Sequence, residues 1–374
     1  MFRKISFLLL ILSVTIALIS CQSEDKALNP VGNNDPDPDS DWNIPENQIF
    51  SGGVPKDGIP SLFSPETIPA AQAGFIDDKD LILGIVVDGV AKAYPHQILD
   101  WHEAVNEEFA LNNFLTVSYC PLTGTAIVFD GNIAGLRLTF GVSGLLYNNN
   151  LIMFDRQTDS HWPQMRLQAD QGTLRNTRQI VYPSIETSWG SWKKLFPNTV
   201  VLSTNTGHNR PYSTAGSAYP GYSNLNSAPF FGVSFLDDRL PPKQRVHGVF
   251  SGEVPDSYET KVYLIDLSQD SRLINDSIDG SPILVVDSGK DNFVVSYLRT
   301  LVDGQILTFS LDASSGDFPF TFKDNETSST WSVLGEAITG PLAGAKLEKT
   351  KSFNAYWFAW GVFYLDAEIY QEND

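Results

Sequence analysis

Cysteine is scarce in this chain, which has two among 374 residues, and so are methionine, with three, and histidine, with five. Two cysteines exclude the disulfide framework of small secreted domains, and a chain of this length buries enough apolar surface to fold without one. Basic residues are also few, because 25 lysines and arginines face 44 aspartates and glutamates, for a formal charge of −19. That charge repels phosphate backbones, so the sequence excludes a nucleic-acid partner.

Long apolar runs are absent except near the N-terminus. The run at residues 7–19 follows two cations and is shorter than the roughly 20 residues that span a membrane. It predicts a secretory signal peptide over residues 1–20. Residues 18–21 resemble a bacterial lipobox, so we expect Cys21 to be lipidated and to anchor the protein in a membrane. The alternative is an ordinary signal peptide with a chance cysteine.

An extracytoplasmic, lipid-anchored location follows from this segment. Gln22 after the cysteine resembles known lipoprotein sorting signals that favour the outer membrane or cell surface. The lipidated cysteine and a tether rich in Asn, Asp, Pro and Ser occupy residues 21–48. A segment with so few apolar groups cannot offset the entropy that it would lose on ordering, so we expect a solvated tether. With Cys21 modified, Cys120 is the one thiol left and has no intramolecular disulfide partner.

The body of the chain repeats itself at a spacing of 169 residues. The sharpest match joins residues 155–162 to residues 324–331, which share their Asp, Thr, Ser and Trp positions. Because the matches are collinear, we interpret them as two diverged copies of one unit. The first β-rich copy covers residues 49–202 and holds the candidate site, the inter-repeat loop covers 203–239, and the second, degenerate copy covers 240–374.

Secondary-structure patterns predict a mainly β (α+β) fold. Short segments rich in Val, Ile, Phe and Tyr and bounded by Gly, Asp and Pro predict strands, as at residues 81–87 and 293–298. Two short helices are predicted in the first copy, at about 97–109 and 188–195. The fold class is therefore two copies of a β-rich unit with short helices, joined by a long loop whose tyrosines favour an ordered cover.

Reactive residues present in one copy only mark the candidate site. The matched Asp155, Thr158, Ser160 and Trp162 are interpreted as a turn closed by the Asp and Thr oxygens, with the Trp packed beneath. Four reactive residues of the first copy are replaced in the second: His102, Cys120, Arg156 and His161 correspond to Ser271, Gly289, Asn325 and Thr330. We therefore expect the first copy to hold the site.

Three of these residues have competing interpretations. His102 shares one face of the predicted helix with apolar residues, so its imidazole points inward and is either functional or a hydrogen-bonded core histidine. Cys120 opens a hairpin turn, which suits a nucleophile or a soft metal ligand, although a small buried apolar residue is the alternative. His161 lies inside the Asp-Thr-Ser-Trp turn, where an exposed turn histidine is equally compatible.

Several motifs together resemble a known family. They are Gly-Ile-Pro at 58–60, Trp-His-Glu-Ala-Val-Asn at 101–106, Tyr-Cys-Pro-Leu at 119–122, Phe-Gly-Val-Ser-Gly at 140–144, Met-Phe-Asp-Arg-Gln-Thr at 153–158 and Gly-Pro-Leu-Ala-Gly at 340–344. The chain resembles a lipoprotein member of the family of domain of unknown function 3179 (DUF3179) from about Gly58 to the C-terminus. The resemblance implies a single family-length protein and supplies no reaction. In one version of the family pattern a second cysteine stands at the position of Thr123, and its absence here argues against a dithiol mechanism.

Three functional hypotheses follow from these residues. The first is a transition-metal site, for copper, zinc or iron, with His102, Cys120 and His161 as ligands and Glu103 as a weaker fourth. In the second, Cys120 is a catalytic nucleophile, His102 or His161 is its base, and Arg156 or Arg210 binds an anionic substrate.

The third hypothesis needs no reaction. It is a surface lipoprotein that binds a small-molecule or glycan ligand through the aromatic loop between Tyr212 and Tyr222, because aromatic side chains suit the faces of sugars. Whether the protein is an enzyme stays open among the three hypotheses.

Overall fold

The computed structural model describes residues 40–110, 113–213 and 218–372. The predicted signal peptide, Cys21 and most of the predicted tether lie outside the described residues. The end of the tether segment packs against the protein: Ile44 is buried, and the backbone N–H of Asn43 donates to the carbonyl of Asp170 over 2.8 Å. Among the described residues no helix is long and apolar enough to cross a membrane.

Strands dominate the described residues, as predicted. Those before the inter-repeat loop are β1 Ile49–Ser51, β2 Leu62–Phe63, β3 Thr67–Pro69, β4 Leu81–Val87, β5 Val90–Pro95, β6 Ala104–Glu108, β7 Phe114–Cys120, β8 Thr125–Asp130, β9 Asn132–Ile133, β10 Leu136–Arg137, β11 Phe140–Tyr147, β12 Asn150–Asp155, β13 His161–Pro163, β14 Val181–Tyr182, β15 Ile185–Ser188 and β16 Val200–Leu202. Those after it are β17 Arg245–Glu253, β18 Ser257–Leu264, β19 Ser271–Ile278, β20 Ser281–Ser288, β21 Phe293–Leu298, β22 Phe309–Leu311, β23 Thr321–Asp324, β24 Thr330–Ser332, β25 Ala337–Thr339, β26 Lys351–Tyr356 and β27 Glu368–Ile369.

Three short helices accompany the strands: α1 His96–His102, α2 Trp189–Leu195 and α3 Trp357–Phe363. The prediction of a helix at 188–195 is confirmed, and the side chain of Ser188 caps it by accepting from the backbone N–H of Ser191. The prediction of one helix over 97–109 is wrong in its second half. Glu103 has a left-handed backbone (φ 54°) that ends α1, and residues 104–108 pair along β7 instead of continuing the helix.

Two hairpins with matching surroundings carry the helices. In the first, β4 pairs with β5, β15 is antiparallel to β4, and β16 is parallel to β5. In the second, β17 pairs with β18, β26 is antiparallel to β17, and β27 is parallel to β18. Helix α2 follows β15, and α3 follows β26. The two hairpins therefore have equal strand arrangements, and the duplication stays a prediction of the sequence.

The sharpest sequence match also has the same local structure at both places. The Asp155 carboxylate accepts from the backbone N–H of Thr158 (2.6 Å) and from the indole N–H of Trp162 (3.0 Å). The Asp324 carboxylate accepts from Thr327 (2.5 Å) and Trp331 (2.9 Å) in the same way. The interpretation of this motif as a self-closing turn over a buried tryptophan is therefore confirmed at residues 155–162, and residues 324–331 have the same local structure.

Two hydrophobic cores draw on both predicted copies. One joins Phe129 and Trp162 to Phe250 and Trp360. The other includes Trp192 and joins residues of β4 and α2 to Leu284, Phe293 and Trp331. Two further cores each use strands of one copy only. Since the copies share their largest cores, residues from both lie side by side along their boundary, which is where the cleft described next lies.

Candidate functional site

A cleft of 480 Å³ lies between the two predicted copies. Its walls carry four tyrosines, which are Tyr119, Tyr219, Tyr222 and Tyr356, and charged or amide side chains that include Lys79, Asp80, Gln97 and Asp100. A volume of this size accommodates a small organic ligand, since ligand pockets span about 300–1,000 Å³. The cleft therefore combines apolar ring faces with hydrogen-bonding groups.

The tyrosines come from three separate parts of the chain. Tyr119 is near the end of β7, Tyr356 is the last residue of β26, and Tyr219 and Tyr222 come from the inter-repeat loop. Tyr222 is buried, and its hydroxyl donates to the carbonyl of Leu122 over 2.9 Å. The described part of the loop is therefore an ordered cover over the hairpin turn, as its tyrosines predict.

Cys120 lies directly beneath this cover and is 1% exposed. Its thiol donates to the carbonyl of Asn149 (3.5 Å) and accepts from the backbone N–H of Leu151 (3.4 Å). Burial, reinforced by the nearby Glu103 carboxyl, raises the pKa of the Cys120 thiol to about 11. The thiol is therefore protonated at neutral pH in this conformation, which disfavours both a thiolate nucleophile and a thiolate metal ligand.

Lys243 is the residue of the site that the sequence patterns miss. It is 2% exposed, and its Nζ has no hydrogen-bond partner among the described residues. The nitrogen lies 3.2 Å from the ring centroid of Tyr222, 4.4 Å from that of Phe358 and 5.0 Å from that of Tyr356. Burial lowers the pKa of Lys243 to about 7, although the nearby Cys120 acts in the opposite direction.

Glu103 is the second unusual charge of the site. It is 6% exposed and has the left-handed backbone that ends α1. Burial, with a smaller contribution from the like charge of Asp100, raises the pKa of Glu103 to about 8. A carboxyl that is neutral at pH 7 therefore lies near the protonated thiol of Cys120.

His102 is fully buried, and both ring nitrogens are occupied. Nδ1 lies 2.7 Å from the carbonyl oxygen of Pro60 and Nε2 lies 2.5 Å from the Tyr212 hydroxyl. A carbonyl only accepts, so Nδ1 carries the proton and Nε2 accepts from the hydroxyl. Burial lowers the pKa of His102 to about 4, in keeping with this neutral form. His102 thus has the contacts of a core histidine that holds the loop through Tyr212.

The remaining predicted residues have partners of their own. His161 is half-buried, and its Nδ1 lies 2.8 Å from Oε1 of Gln171. Arg156 donates two hydrogen bonds to the Asp57 carboxylate, over 2.8 and 2.6 Å. The guanidinium of Arg210 lies 5.4 Å from the ring centroid of Trp101. Neither arginine is among the residues that line the cleft.

The metal hypothesis gains no support from this geometry. Across residues 40–110, 113–213 and 218–372, no group of three or more His, Cys, Asp or Glu side chains is arranged to hold a metal ion. His102, Cys120 and His161 each contact a different set of neighbours. A copper, zinc or iron site at these residues stays a prediction of the sequence.

A second polar cluster, also missed by the sequence patterns, connects three strands of the predicted second copy. Nε2 of His247 lies 2.8 Å from the Ser296 hydroxyl, and Nδ1 lies 2.8 Å from Oδ1 of Asn354. The three side chains are arranged like a nucleophile (Ser296), a base (His247) and a group that orients the base (Asn354). The adjoining cavity has a volume of only 20 Å³, which is room for about one water molecule. The cluster is therefore too enclosed for a substrate and satisfies buried polar groups between the strands.

Comparison with known proteins identifies the family. Residues 56–367 match the profile of the family described as "Protein of unknown function (DUF3179)", and the chain belongs to that family. No curated protein and no solved structure matches the chain.

Proposed function

We propose that this protein is a membrane-anchored extracytoplasmic lipoprotein whose folded body binds a small ligand of the sugar class in the tyrosine-lined cleft. The anchoring rests on the signal-like residues 1–20 and on Cys21. The binding rests on one observation, the meeting of four tyrosines around a 480 Å³ cleft.

The chemistry of the cleft walls favours a sugar over a purely apolar ligand. Aromatic faces pack against the C–H faces of a pyranose or furanose ring, while side chains such as Asp100 and Gln97 accept from and donate to its hydroxyl groups. Negative charge at Asp80 and Asp100 disfavours an anionic ligand. Lys79 is the only cation among the described residues that line the cleft.

A binding experiment tests the cleft. A panel of methyl glycosides is titrated into the full mature chain by calorimetry or ligand-observed NMR, against a Tyr219→Ala variant. Tyr219 is half-buried, so its truncation removes a wall of the cleft with less damage to the fold than truncation of Tyr222. We expect affinity to fall by about tenfold or more, equivalent to about 1.4 kcal/mol.

Tyr182→Ala is the matched control, because Tyr182 is also half-buried but lines no part of this cleft. Equal affinity of all three proteins, or no binding by any at millimolar ligand, refutes the cleft as a sugar site.

For the anchor, Cys21→Ser abolishes incorporation of radiolabelled fatty acid and releases the protein from the membrane fraction. Unchanged labelling would refute the lipidation.

A further inference from the structure

We propose that Lys243 is a carbonyl-reactive amine, which condenses with the aldehyde group of an open-chain sugar held in the tyrosine cleft. The proposal rests on the proposed sugar-binding function and extends it from a bound ligand class to a covalent step on one named atom.

The surroundings of the Lys243 amine are aromatic. The Lys243 nitrogen is enclosed by the rings of Tyr222, Phe358 and Tyr356, and two of these rings also form the wall of the cleft. A buried ammonium group normally has a charged or hydrogen-bonding partner. Nζ of Lys243 has no hydrogen-bond partner among the described residues. Lys243 does not itself line the cleft, so the aldehyde reaches its nitrogen past the rings of Tyr222 and Tyr356, which do line it.

The protonation state of Lys243 suits nucleophilic attack. An amine attacks a carbonyl only in its neutral form, and burial in an apolar pocket is one way in which proteins produce that form near neutral pH. Burial moves the pKa of Lys243 to about 7. The aromatic rings favour the charged form, so both forms are present near neutrality. An exposed lysine such as Lys290, paired with Asp270, stays charged.

The neighbouring Cys120 thiol is a poorer nucleophile than the Lys243 amine. Cys120 donates its S–H to the carbonyl of Asn149, and burial raises the pKa of that thiol. A proton transfer from Cys120 to Lys243 is therefore unfavourable. The neutral Lys243 amine is the better nucleophile of the two.

The step balances without a further reactant. The nitrogen lone pair of Lys243 attacks the aldehyde carbon, and the C=O π electrons move to the oxygen. A proton passes from nitrogen to that oxygen, which gives a carbinolamine. Loss of the hydroxyl group with the second amine proton releases one water molecule and leaves a C=N bond between lysine and sugar. No oxidant, reductant or metal takes part.

Reductive trapping tests the proposal. The full mature protein is incubated with D-glyceraldehyde, the smallest aldose, then reduced with borohydride, digested and mapped by mass spectrometry. We expect the reduced adduct at Lys243 ahead of exposed lysines. The adduct at Lys243 forms faster as the pH rises through about 7, whereas exposed lysines need more alkaline solution.

Two variants control the experiment. Lys243→Arg keeps a cation and loses the adduct at this position, while Lys290→Arg, an exposed change, keeps it. If Lys243→Arg does not fold, the peptide map of the unmodified chain still decides the question, because it compares all lysines within one molecule. Labelling confined to exposed lysines overturns the proposal.

Methyl glycosides have no free aldehyde. They therefore distinguish the covalent step at Lys243 from the sugar binding on which it rests. Methyl glycoside binding without an adduct at Lys243 overturns the covalent step and leaves the sugar cleft standing. An adduct at Lys243 without methyl glycoside affinity supports the reactive amine and overturns the sugar cleft. Absence of both overturns both.

Discussion

Gly248 lies against the indole ring of Trp360 so closely that a Cβ atom at position 248 would be 2.0 Å from the ring. Gly84 has the same relationship to Trp192, where the distance would be 2.4 Å. Each glycine is in the strand of a hairpin and each tryptophan is in the helix that packs across it. The absence of a side chain at Gly248 and at Gly84 therefore allows the helix to approach the strand in both hairpins.

Replacing Gly248 by alanine should destabilise the protein. Trp360 is fully buried, so the indole cannot move without displacing its neighbours, and overpacking of this kind costs about 1–3 kcal/mol. Urea unfolding of Gly248→Ala measures this loss. Gly74→Ala is the control, since a Cβ there meets nothing within 4 Å. Equal unfolding midpoints for the two variants would contradict the close contact.

Glu103 should make the protein less stable as the pH rises. Its folded pKa of about 8 exceeds its ordinary value of 4.5, so its contribution is complete below pH 4.5 and is lost as the pH rises through 8. The expected slope is about 1.4 kcal/mol per pH unit within that window. Unfolding free energies of the wild type and Glu103→Gln, measured from pH 5 to 8, should diverge in favour of the variant. Parallel curves would refute the raised pKa.

Removal of the Tyr212 hydroxyl should loosen the inter-repeat loop. Tyr212→Phe leaves Nε2 of the buried His102 without its donor, at a cost of about 1–3 kcal/mol. Hydrogen exchange of residues 203–213 should speed up in the variant. Tyr182→Phe loses an exposed hydrogen bond to Val86 and should change little. Similar exchange in both variants would show that the His102 contact does not hold the loop.

Asp324 should contribute stability that acid removes. Burial by itself would raise its pKa, but hydrogen bonds from Trp331, Thr327 and Ser329 outweigh burial and hold the pKa below its usual range. The contribution is therefore present above about pH 4 and is lost as the pH falls through the lower, folded pKa. Asp324→Asn should cost about 1–3 kcal/mol at pH 7 and progressively less in acid. A stability difference that does not change with pH would exclude this assignment.

Local features of the fold could be predicted from the sequence because they depend on neighbouring residues. Strands at 81–87 and 293–298 have the predicted bounds, and the Asp155 turn closes as its residue types suggest. The end of α1 could not be predicted in this way. The apolar spacing around His102 continues past residue 103, and pairing of residues 104–108 with β7 overrides it.

The candidate site was only partly predictable for a similar reason. Cys120 and the loop tyrosines stand out by composition, and the structure places Tyr219 and Tyr222 in the wall of the cleft and Cys120 buried beneath the loop. Lys243 has no distinctive sequence neighbours. Its importance comes from the rings of Tyr222, Tyr356 and Phe358, which come from segments about 20 and more than 110 residues away.

The cores that draw on both predicted copies can be completed only late in the synthesis of this protein. Trp192 is synthesised well before Leu284, Phe293 and Trp331, which belong to the same hydrophobic core. At 5–20 residues per second of synthesis, on the order of ten seconds pass before these later residues of the core are made. The N-terminal half therefore emerges as an incomplete folding unit that depends on a holding chaperone or on delayed collapse. Its two halves, made as separate chains, should be soluble only when they are made together.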